Sequence, residues 1–172
     1  RYRCNTSHGQ KIENYALQIF DAMKKFHGLG TRERLLLQIA SILHDCGKFI
    51  SLRDSSACAY NIIMATEIIG LSHAEREIVA EVVRCNLDAF RYGEGSIRAG
   101  KLTAMLRLAN AMDRSHHGRL DDGKLQVKGN KLIISTSYAG NLALETMAVE
   151  DKADFFEEMF GIRPEIRQKR RV

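Results

Sequence analysis

The sequence predicts a mostly α-helical chain that closes with a small α+β unit, and three observations carry that prediction. Apolar residues recur at three- and four-residue steps through most of residues 1–120. The lone proline, Pro164, lies near the end, so no pyrrolidine ring breaks a helix before it. After Arg119 the pattern changes to short alternating runs about Gly129-Asn130, a strong hairpin turn. These features predict a helical domain over residues 1–120 and a β-hairpin, helix and strand over residues 121–172.

The first helix is expected from Thr6 to His27, with Ile12, Ala16, Ile19, Phe20, Met23 and Phe26 on one buried face. Gly28 and Gly30 end it, and Thr31 is placed to cap a second helix. Leu35, Leu36, Ile39, Ala40, Ile42 and Leu43 form the apolar face of that helix, which stops at His44-Asp45-Cys46-Gly47. A third helix is expected from Ser56 to Ile69, closed by Gly70. Ser72-His73-Ala74-Glu75 then reads as a capping box opening a fourth helix that reaches Leu87. The glycine-spotted stretch Tyr92 to Gly100 reads as a loop. A fifth helix carries Leu102, Met105, Leu106, Ala109 and Met112, with Asp113 on the same apolar face. Beyond it, Leu125 and Val127 belong to one strand and Lys131 to Thr136 to its return. Leu142 to Leu144 suits another strand, Val149 to Phe160 an amphipathic helix, and Glu165 to Arg167 a last strand.

Composition excludes several classes. The 172 residues are 45% hydrophobic and 27% charged, ordinary for one globular unit able to bury a full core. No apolar run approaches a membrane span, and the polar start, Arg1 to Gln10, has no signal-peptide character. A first residue of Arg rather than Met is what a piece of a longer protein would show. Cys4, Cys46, Cys58 and Cys85 form no CxxC pair, so buried free thiols in a reducing cytoplasm are expected, not a disulfide framework or a cysteine zinc site. The net charge of +5 favours polyanionic partners. No basic motif interleaved with aromatics points to nucleic acid.

One constellation can carry chemistry. His44 and Asp45 are adjacent at a helix end, where both side chains can turn toward one divalent cation that takes imidazole nitrogen and carboxylate oxygen together. His8 supplies a second imidazole from an upstream helix and Asp113 a second carboxylate from a downstream one. Both sit on faces that otherwise look buried, where a charge is costly unless paired or bound to metal. Singly, each residue has a structural use: His8 at the surface, Asp113 as a partner of Arg107 or Arg114. Lys48, Arg53, Arg84, Arg107, Arg114 and His116 flank these segments as candidate phosphate-binding groups, since arginine grips phosphate with parallel hydrogen bonds. His73 and His117 read as exposed, and Lys169-Arg170-Arg171 as a solvated tail.

The order His8, His44-Asp45, Asp113 resembles the HD superfamily of metal-dependent phosphohydrolases. More narrowly, LLLQIASILHDCGKFI (Leu35 to Ile50), EIIGLSHAEREIVAEVVR (Glu67 to Arg84), LTAMLRLANAMDRSH (Leu102 to His116) and KADFFEEMFGIRPEI (Lys152 to Ile166) resemble the C-terminal region of the exopolyphosphatase/guanosine pentaphosphate phosphohydrolase family. The resemblance implies an HD-domain-like helical bundle followed by the small α+β unit. It also implies a separate N-terminal actin-like catalytic domain, inorganic polyphosphate or guanosine polyphosphate as ligand, a homodimer, and a cytoplasmic location. Many relatives carry further histidines where Ser55, Cys58 and Asn86 stand here. That thinner set implies one divalent metal, Mn²⁺, Mg²⁺ or another, and little hydrolysis by this domain itself.

Three functions follow as expectations. The first is an accessory domain of an exopolyphosphatase-type enzyme, contributing polyphosphate binding, dimerisation and a metal site. The second is a metal-dependent phosphohydrolase in its own right, with Asp45 and Lys48 as catalytic residues acting on nucleotides or phosphoanhydrides. The third is a non-catalytic interaction module.

Overall fold

A computed structural model describes residues 6–90 and 97–169. The chain is mostly helical, and a small sheet follows the helices. Its elements are α1 (Thr6–Ala22), α2 (Lys24–His27), α3 (Thr31–Leu43), a 3₁₀ turn (Cys46–Phe49), α4 (Ser55–Ala65), α5 (His73–Cys85), α6 (Ile97–Met112), β1 (Lys124–Lys128), β2 (Lys131–Thr136), α7 (Ala143–Phe160) and β3 (Arg163–Gln168).

α6 is the central helix. Ala99, Gly100, Leu102, Thr103, Ala104, Met105, Leu106, Leu108, Ala109, Ala111 and Met112 are all buried, so apolar or small residues surround its axis. A helix buried all round shows little amphipathic period in its sequence. α1, α3, α5 and α7 all pack on it. Gly100 permits that approach: a Cβ there would lie 2.9 Å from Met159 Cε and 3.1 Å from Phe90 Cζ. Residues 97–100 are therefore the first turn of α6, not the end of a loop as expected; the remainder of the expected loop, 92–96, lies outside the described residues.

Other boundaries shift for local reasons. The expected first helix is interrupted at Met23, and the change of phase buries His27 while Phe26 stays 46% exposed. Gly30, not Thr31, is the N-cap of α3, and its N–H donates to Glu33 Oε2 at 2.9 Å. α3 buries Leu36, Leu37, Ala40 and Ser41 and leaves Leu35 and Ile42 exposed, because Leu35-Leu36-Leu37 offers apolar side chains to several directions at once. α4 stops at Ala65: Thr66 turns extended, its hydroxyl donates back to Ile62 O, and its carbonyl accepts from Arg76. Leu142 to Leu144 forms no strand. Leu142 is the N-cap of α7 and Asn141 Oδ1 accepts from Ala143 N, so the helix begins six residues before Val149. The capping box at Ser72 and Glu75 forms as expected, with both reciprocal hydrogen bonds.

The sheet has the order β1-β2-β3, with β1 and β2 antiparallel across the Gly129-Asn130 turn and β2 and β3 parallel, joined by α7. Leu132, Ile134, Leu142, Val149, Phe156 and Ile162 belong to the same buried cluster as the helical core. Cys46 and Cys85 are buried and Cys58 is half-buried; Cys4 lies outside the described residues, as do Arg170 and Arg171. Burial pushes the Cys85 thiol up to about 11, helped by the Glu81 carboxylate. No helix of the described residues is long and apolar enough to cross a membrane.

Candidate metal centre

Three segments converge on one point. His8 comes from the first turns of α1, His44 from the C-cap of α3, and Asp45 from the residue after it. The backbone leaves the helix there because Cys46–Phe49 tightens into a 3₁₀ turn. Gly47 lets α4 pack against that turn, since a Cβ would lie 1.7 Å from the Ser55 carbonyl oxygen. Any side chain at 47 would push the turn, and Asp45 with it, off α4.

One donor atom each from His8, His44 and Asp45 lie within 4.8 Å of one another. Ligands about 2.0–2.6 Å from a shared ion fall in that range. The tautomers are set by partners that can only accept. His44 Nδ1 lies 2.6 Å from Ser41 O and His8 Nδ1 lies 2.7 Å from Asp113 Oδ2, so both Nδ1 atoms donate. Each ring then presents Nε2 as a lone pair. His44 is 4% exposed, and its Nε2 has no hydrogen-bond partner although Asp45 Oδ2 is 3.3 Å away. A cation between that buried lone pair and the carboxylate oxygen would satisfy both. The residues present therefore fit a divalent ion.

Asp113 is fully buried and stands behind His8. Its Oδ2 takes the His8 proton and its Oδ1 accepts from Gly118 N at 2.9 Å. Burial opposes its charge, but these two bonds outweigh burial and hold the carboxyl below the usual carboxylate range. Burial likewise opposes the charge on Asp45, and the positive charge beside it, the Lys48 ammonium included, outweighs burial and holds that carboxyl well below the usual range. Lys48 Nζ reaches Asp45 Oδ1 at 2.7 Å.

The flanking cations separate into groups. Arg107 donates to Cys85 O at 2.8 and 2.6 Å and to Asp88 O, and lies over the Phe155 ring. Arg84 pairs with Glu81 at 2.7 Å and faces the Tyr60 ring. Arg53 is exposed on the turn before α4. Arg114 and His116 line a cleft of about 220 Å³ together with Asn86, Asn110, Arg107 and Lys152. His116 also forms its boundary with the metal centre: its ring stacks on His8, centroids 3.8 Å apart and planes within 7°. Burial and the nearby His8 ring both push the His116 imidazole below its ordinary value.

The family model described as Ppx/GppA phosphatase, domain III, matches residues 1–151. The chain belongs to the Ppx/GppA phosphatase family. Its match within that family is to one domain, and it spans all of the helices that bring His8, His44, Asp45 and Asp113 together. A comparison with curated proteins finds no match to this Ppx/GppA chain.

Asn86, Asn110 and Lys152 were not legible as cleft residues. Asn86 reads in the sequence only as a missing histidine, yet it is 5% exposed with an unpartnered Oδ1. Asn110 and Lys152 sit on different helices 42 residues apart, and no spacing signal connects them.

Proposed function

We propose that this chain is an accessory domain of an exopolyphosphatase-type phosphohydrolase that binds one divalent cation and, beside it, the phosphoryl oxygens of a polyphosphate-type ligand. The observation that carries the reading is the pair of buried imidazoles whose Nδ1 atoms are tied down, leaving their Nε2 atoms as lone pairs in a cluster that includes Asp45. His8, His44 and Asp45 would hold the ion, and Asp113 would orient His8 from behind, as outer partners of ligating histidines do. Bound there, the ion supplies positive charge that polarises a phosphoryl oxygen. Arg114 stands at the cleft wall and Lys48 beside Asp45, where they add cations along a chain of phosphates, and His116 offers the cleft a ring N–H donor. Residues 1–120 carry this site, and residues 121–172 brace it. Polyphosphate or guanosine polyphosphate, a homodimer, a separate actin-like catalytic domain and a cytoplasmic setting complete the proposal.

Titrating the chain with polyphosphate, in chelator and again with Mn²⁺, tests the reading. Polyphosphate should bind more tightly with Mn²⁺ and outcompete DNA of equal total charge. Equal affinity for both polymers, unaltered by Mn²⁺, would reduce the domain to a basic interaction surface.

A second reading has one specific observation in its favour. The cleft opens directly beside the imidazole pair, as a substrate pocket would. On that reading Asp45 and Lys48 serve hydrolysis of a nucleotide or phosphoanhydride by this domain alone. A phosphatase assay of the chain with Mn²⁺, abolished in His44→Ala, would favour it over the accessory role.

A further inference from the structure

Glu145 is fully buried on the first turn of α7, with no place in the centre described above. A buried carboxylate is costly unless bonded. Its Oε1 accepts a hydrogen bond from Ser115 Oγ. Its Oε2 has no hydrogen-bond partner, and Arg119 Nη1 stands 3.8 Å away. The N-terminus of α7 adds favourable partial charge.

The bond to Ser115 falls on a turn that the metal centre depends on. Asp113 lies two residues before Ser115 and His116 follows it, and the turn is wound tightly: His116 N donates to Asp113 O at 2.9 Å and Gly118 N to Asp113 Oδ1. His116 adopts φ 59, a left-handed conformation unfavourable for a residue with a Cβ, and it persists only where its surroundings over-determine it. That conformation lays its ring flat on His8. His8 is thus fixed at its edge by Asp113 and over its face by His116, both from one turn, and that turn is held from outside by α7.

We infer that Glu145 is a positioning residue for the metal centre, acting through Ser115 to hold His116 against His8. The inference rests on the metal-centre reading for its consequence but not for its geometry. It makes the C-terminal unit a determinant of metal affinity without supplying a ligand. Groups bonded directly to a ligating histidine change affinity about 10- to 100-fold, so the lower end of that range bounds the effect of Glu145, which is further removed.

The test compares wild type, Ser115→Ala, Glu145→Ala and Glu145→Gln in the whole chain, with folding verified by circular dichroism. Histidine ring resonances are recorded first without metal, then Co²⁺ affinity is measured. Ser115→Ala, on a half-exposed turn, and Glu145→Ala should move the ring-current-shifted His8 and His116 signals toward free-imidazole positions. Both should weaken Co²⁺ binding about tenfold. Glu145→Gln keeps an acceptor for Ser115 and should restore both readouts. Unaltered imidazole signals in folded Ser115→Ala would overturn the inference. If wild type takes up no Co²⁺, the metal-centre reading fails, while the metal-free signals still decide whether Glu145 positions the two rings.

Discussion

His8 Nδ1 lies 2.7 Å from Asp113 Oδ2, joining the first helix to the end of the sixth across 105 residues of sequence. The contact decides the tautomer of His8, putting the proton on Nδ1 and leaving Nε2 as the lone pair. Asp113→Ala should leave His8 Nδ1 and Gly118 N without a buried partner, at a cost of about 1–3 kcal/mol each in stability. Metal affinity should fall about 10- to 100-fold. Urea denaturation and a metal titration of the same variant check both effects; an unaltered affinity would remove Asp113 from the centre.

Arg107 and Arg114 lie on the same cleft but should respond oppositely to truncation. Arg107 satisfies the carbonyls of Cys85 and Asp88 at the end of α5. Arg107→Ala should lower stability by about 1.5–3 kcal/mol, the range for hydrogen bonds made by a charged group. Arg114 is exposed, so Arg114→Ala should alter stability by less than about 0.5 kcal/mol. It should instead weaken polyphosphate binding and flatten its dependence on salt. Denaturation midpoints and salt-dependent binding slopes separate the two.

His27 makes stability depend on pH. It is fully buried, its Nδ1 accepts from Leu29 N at 2.8 Å, and its Nε2 donates to Phe20 O at 2.9 Å. Both nitrogens are used in the neutral ring, and burial pushes its proton affinity below the ordinary histidine value. The unfolded chain therefore binds the proton more readily than the folded one. The stabilisation is complete above about pH 6.5 and is lost as pH falls below that value toward the depressed folded pKa, with a slope of at most about 1.4 kcal/mol per pH unit for one proton. Stability measured between pH 7.5 and 5, in wild type and His27→Gln, should show a shallower slope in the variant.

Much of this fold is legible in the sequence because its signals are local. The hairpin at Gly129-Asn130, the Ser72 capping box and the apolar period of α1 each depend on residues within a few positions. What is not legible depends on packing. Leu35, Leu36 and Leu37 are chemically alike, and only the approach of α1 and α5 decides which of them is buried. Leu142 to Leu144 reads as a strand in the sequence, but the helix that connects β2 to the parallel β3 takes these residues as its N-cap and first turn. Residue type and order pick out His8, His44, Asp45 and Asp113 as candidates, and the fold brings the four together. Arg107 looks like a phosphate ligand in one dimension and is a brace for α5 in three. Glu145 carries no signal at all, since its partner Ser115 lies 30 residues earlier, beyond a hairpin.

Cation uptake by the His8, His44 and Asp45 cluster tests the central claim most directly. Chelator-treated protein is titrated with Co²⁺ and followed by its visible absorption, alongside His44→Ala. Wild type should take up one equivalent per chain with a spectrum of mixed nitrogen and oxygen ligation, and His44→Ala should lose it. No uptake by wild type, or identical uptake by the two proteins, would contradict the account.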